Sequence, residues 1–103
     1  TAVEAAGQFF TDRGRSRQRQ AVIDANAELR ERELIKLASL SAAFAETLRR
    51  RGVTEPAASL AAEAGVAVFK VAFARWISKG AKESFGDLVR DSLKELHAVA
   101  GQL

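Results

Sequence analysis

The sequence predicts an all-α fold, one domain of five helical segments over residues 1–103, on three observations. Apolar residues recur at three- and four-residue intervals through most of the chain. No stretch alternates apolar and polar residues with β-branched enrichment, and one proline with seven glycines is too few for the turns of an all-β chain. Alanine and leucine, both good helix formers, supply much of the 48% hydrophobic fraction.

The first segment, Val3 to Phe10, is apolar and is expected to stop at Thr11-Asp12-Arg13-Gly14. Phe9 and Phe10 are adjacent, so they point to different sides and at least one should enter the core. Arg13, Arg15, Arg17 and Arg19 occupy alternate positions and read as a solvated basic turn, with Ser16 as N-cap of a second helix from Arg17 to Asp24. Ala25-Asn26-Ala27 marks a break, with Asn26 available to cap a third helix from about Glu28 to Arg51. That helix begins charged, then carries a wide apolar stripe of Leu34, Leu37, Ala38, Ser41, Phe44, Ala45 and Leu48. Arg49-Arg50-Arg51 offsets the negative end of its dipole and Gly52 ends it.

Pro56 to Ile77 is the segment around which the rest is organised. Proline suits a first helical position, and the residue before it avoids helical dihedrals. Only Glu63, Lys70 and Arg75 carry charge here, and Ser59, Glu63 and Lys70 fall on one polar stripe. Ala61, Gly65 and Ala72 form a small-residue seam flanked by Leu60, Val68 and Val71 on one side and Phe69, Phe73 and Trp76 on the other. Its length is near that of a membrane span, but three charges and many alanines favour a core helix covered on several sides. Ser78-Lys79-Gly80 ends it, and Ser84-Phe-Gly-Asp87 resembles a capping box opening the last helix, residues 83 to 101. That helix sets Phe85, Leu88, Val89, Ser92, Leu93, Leu96 and Val99 on one side.

Function classes narrow accordingly. With no cysteine there is no disulfide framework or thiolate metal site, and no apolar leader is visible, so a cytoplasmic location is the default expectation. The net charge of +3 is weak evidence for a polyanionic partner, and an arginine-rich surface is the favoured reading. His97 is the only histidine, set two residues from Glu95 and far from it around a helix, and no glycine-rich phosphate loop is present. No catalysis, metal or cofactor is expected.

Surplus apolar surface is the stronger signal. Helices 56–77 and 83–101 each have more than one face that wants cover, which a C2 dimer joined through these two helices would absorb. Ala61, Gly65, Val68, Ala72, Leu88, Ser92 and Leu96 are the candidate dimer-interface residues. Large aromatics beside many alanines suggest uneven packing around a cavity, although a solidly filled core is the simpler alternative.

The strings Arg19-Gln-Ala-Val-Ile23, Glu31-Arg-Glu-Leu34, Leu48-Arg-Arg-Arg-Gly-Val53 and Leu60-Ala-Ala-Glu-Ala-Gly-Val-Ala-Val-Phe69 leading to Ala74-Arg-Trp76 resemble the C-terminal domain of TetR-family transcriptional regulators. The nearest match in style is the actinobacterial subgroup with an acyl-CoA-like ligand-binding domain, and the resemblance runs from about Arg13 to the end. It implies a five-helix orthogonal bundle, dimerising through the last two helices, that senses a small lipophilic or acyl-CoA-like effector. DNA would be met only through an N-terminal helix-turn-helix domain, expected to lie outside this chain, and no membrane is implied. For the effector pocket, helical geometry nominates Phe10, Ile23, Leu37, Phe44, Phe69, Phe73 and Trp76. Two other readings stay open: a free-standing helical dimerisation module with a solid core, and a monomeric helical lipid carrier with a through-going cavity.

Overall fold

A computed structural model describes the backbone of residues 2–78 and 80–103 and the side chains of residues 12–78 and 80–103. Among these residues the fold is all-α, built from α1 (Ala2–Asp24), α2 (Ala27–Arg50), α3 (Ala57–Trp76) and α4 (Phe85–Ala100). The expected count of five helices is corrected to four, because the first two segments are one continuous helix. Gly14 sits inside α1, where a glycine costs only about 1 kcal/mol relative to alanine, and no proline interrupts the run. Ser16 is therefore not an N-cap, and the alternating arginines are not a turn: they stand on a helix that tertiary contacts hold.

The other boundaries follow local chemistry. Asn26 accepts hydrogen bonds from the Glu28 and Leu29 amides at the start of α2. At its end, Val53 N–H donates to Leu48 O and Gly52 N–H to Arg49 O, with Gly52 at φ 95°, the paired bonds of a Schellman stop. Arg49 bonds Glu46 and Glu55 across this corner, and its guanidinium holds both carboxyls below their ordinary range, behind the Ser59 hydrogen bond in the case of Glu55. Pro56 stands at the N-cap of α3 and not at the first helical position expected of it; the helix opens one residue later, at Ala57. Ser84 caps α4 by accepting from the Asp87 amide, and the helix opens at Phe85 rather than at residue 83.

Helix α3 packs against both α2 and α4, while α1 packs against α2. Its buried arc is Ala58, Ala62, Val66, Val68 and Ala72, and the core is completed by Ile23, Ala45 and Leu88. Alanine supplies half of this core, so the helices approach closely where it stands and leave several larger side chains around it exposed. Leu88 is the one large side chain, among the described residues, that is fully buried. α3 is also the one described helix long and apolar enough to cross a membrane by length and composition.

The chain is open for its size. Its radius of gyration is 16.0 Å, against about 13 Å for a compact domain of this length. It exposes 7650 Å², whereas a folded monomer of the same mass exposes about 5,700 Å².

Candidate functional site

A groove of about 520 Å³ opens between the C-terminal end of α1, the first half of α2 and the second half of α3. Ile23, Leu34, Leu37, Phe69, Phe73, Ala74 and Ile77 supply its apolar wall, and Arg19, Gln20, Asp24, Arg30, Glu33 and Lys70 its polar and charged lining. Leu34 remains 62% exposed and Phe69 42% exposed, because α1 and α3 stand apart here and the groove faces solvent. Arg30 donates to the Asp24 carbonyl at 2.8 Å, tying the start of α2 to the end of α1 at the groove's closed corner.

Two arginines set where α1 lies. Arg13 and Arg17 are four residues apart, so they share one face of the continuous helix. Arg13 donates to the carbonyls of Ala81 and, at 2.6 Å, Glu83, and its guanidinium lies 5.5 Å from the Trp76 ring centroid. Arg17 donates to the carbonyls of Ile77 and, at 3.3 Å, Ser78. These carbonyls belong to the C-terminal end of α3 and the loop after it, where the helix leaves acceptors unpaired and its dipole favours cations. Burial follows the bonding: Arg13 is 3% exposed and Arg17 half-buried, while Arg15 and Arg19 stay exposed. The expected solvated basic cluster is thus divided between an internal clamp and surface charge.

Beside the clamp lies an aromatic cluster. Trp76 meets Phe85 edge-on at 5.7 Å and Phe73 at 6.0 Å, and Phe69 meets Phe85 at 5.6 Å and Phe73 at 6.2 Å. Phe69 and Phe73 therefore belong both to this cluster and to the groove wall.

Of the nominated pocket residues, Ile23, Leu37, Phe69 and Phe73 come together in the groove. Trp76 sits under Arg13 instead, and Phe44 is 47% exposed away from the groove lining. The side chain of Phe10 lies outside the described residues. Leu34 and Ile77 were not nominated, although Leu34 heads the apolar stripe of α2 one turn before Leu37. The clamp went unread because Arg13 and Arg17 align only if the helix runs through Gly14.

The nominated interface residues also divide. Val68, Ala72, Leu88 and Ser92 are buried within the single chain and have no surface to offer a second copy. Ala61, Gly65 and Leu96 stay exposed, and a Cβ added at Gly65 would meet nothing within 4 Å. The seam expected along Ala61, Gly65 and Ala72 is thus split, with Ala72 in the core and the other two at the surface.

Among the described residues no group of three or more His, Cys, Asp or Glu side chains is placed to share a metal ion. No protein-family model matches the chain, and no curated protein matches it.

Proposed function

We propose that this chain is the ligand-sensing and dimerisation domain of a TetR-type transcriptional repressor, taking a small lipophilic or acyl-bearing effector in the groove between α1, α2 and α3. The observation that carries the reading is the groove itself, with an apolar wall of leucine, isoleucine and phenylalanine and a rim of mixed charge. Such a shape suits a ligand with an apolar body and a polar end. The four-helix all-α fold fits the resemblance in class, and the orthogonal bundle arrangement is part of the proposal.

Dimerisation has its own support. The chain shows roughly 2,000 Å² more surface than a monomer of its mass should, and α3 and α4 keep apolar side chains outside, among them Leu60, Val71, Leu93 and Val99. A second copy would cover them. In the parent protein, the effector would act by changing how two such domains hold their DNA-reading heads, in the cytoplasm and without a membrane.

Native mass spectrometry of the purified chain tests both halves at once. The expected spectrum is a dimer that retains a lipid-sized or acyl-thioester adduct. A monomer with no adduct at micromolar concentration would overturn the proposal.

A further inference from the structure

Leu60, Ala64, Ala67, Val71 and Ala74 follow a 4-3-4-3 spacing and so lie along one line of α3, turned away from its buried arc. Leu60 is 66% exposed and Val71 51%, with Ala67 and Ala74 also at the surface and Ala64 half-buried. This is the spacing of a seam that packs on another helix, with alanines where the axes approach and larger side chains to either side.

The charges beside the line select the partner and its direction. Glu63 and Lys70 lie along one edge of it, about 10.5 Å apart by helical rise, too far to pair with each other. Their midpoint falls beside Ala67, which is also the midpoint of the line from Leu60 to Ala74. A two-fold axis through that shared centre brings up the same line of a second copy in the opposite direction, and sets each Glu63 against the partner's Lys70. A parallel arrangement would instead level like charges with like. Ser41 Oγ donates to Glu63 Oε1 at 2.7 Å and steadies the carboxylate at this edge.

We infer that the Leu60 to Ala74 ridge is a self-docking surface on which two copies pair α3 antiparallel about Ala67, with Glu63 and Lys70 exchanged across the axis. The inference rests on the dimer half of the proposed function and goes beyond it in surface, direction and register. Leu60 and Val71 are the large apolar side chains that this pairing would cover. The ridge also replaces the buried residues Val68, Ala72, Leu88 and Ser92 as the contact made by the dimer.

The test is sedimentation equilibrium of the chain and its charge variants, with helical circular dichroism confirming that each is folded. Glu63→Lys and Lys70→Glu should each weaken self-association by ~10-fold or more, and the double exchange should restore it. The chain has no cysteine, so cross-linking supplies a second reading. On oxidation, a Leu60→Cys chain mixed with an Ala74→Cys chain should form the mixed disulfide, and Leu60→Cys alone should not. A dimer insensitive to both charge reversals, or one in which Leu60→Cys cross-links to itself, overturns the antiparallel pairing and leaves dimerisation standing. A monomeric wild-type chain overturns both.

Discussion

The two ends of the α1–α3 contact are built differently. At one end, Arg13 and Arg17 bind the carbonyls that close α3, and Trp76 and Phe85 pack edge-on beneath them. At the other, Leu34 and Phe69 stand at the wall of an open groove and remain 62% and 42% exposed. Directional bonds hold α1 in place at the clamp, so its far end is free to stand off from α3 without the helix coming loose. Half of the buried apolar residues are alanine, so these directed bonds add a fixed attachment that small side chains do not supply.

Replacing a core side chain should break both ends together. Leu88→Ala removes the large buried residue between α4 and its neighbours and should cost about 2–5 kcal/mol, read as a shift in the urea midpoint. Arg13→Gln should act more selectively. It removes charged hydrogen bonds from a buried site, for a loss of about 1.5–3 kcal/mol, and lifts the cation off Trp76. The chain has a single tryptophan, so a change in its emission before global unfolding would locate the loss at the clamp. An unchanged emission spectrum would contradict the clamp. Leu34→Ser should have the smallest effect on stability, within ~0.5 kcal/mol, because the residue is already largely in solvent. It should nevertheless reduce uptake of an apolar fluorescent dye by the groove; unchanged uptake would place dye binding elsewhere.

Local chemistry was legible wherever neighbours in sequence are neighbours in space. Asn26, Gly52 and Ser84 act within one turn of their helix ends, and the structure places them as the residue types require. The fused first helix was not legible, because Gly14 and the arginine run favour a break locally and the contacts that oppose it come from residues 77–83. The groove was partly legible: Ile23, Leu37, Phe69 and Phe73 face it as their helical positions suggest. Trp76 and Phe44 left the set because helical angle ranks which side chains share a face without saying which neighbour that face meets.

The α3 helix divides the two kinds of information most clearly. Its composition alone made it the central helix, with Ser59, Glu63 and Lys70 on a narrow stripe, Arg75 apart from it, and apolar residues around the rest. Which apolar arc would be covered depended on where α2 and α4 came to lie, and they cover Ala58, Ala62, Val66, Val68 and Ala72 while leaving Leu60 and Val71 outside. Burial free energy scales with apolar area and has no preferred direction, so several arcs of an apolar helix compete equally until long-range packing chooses one.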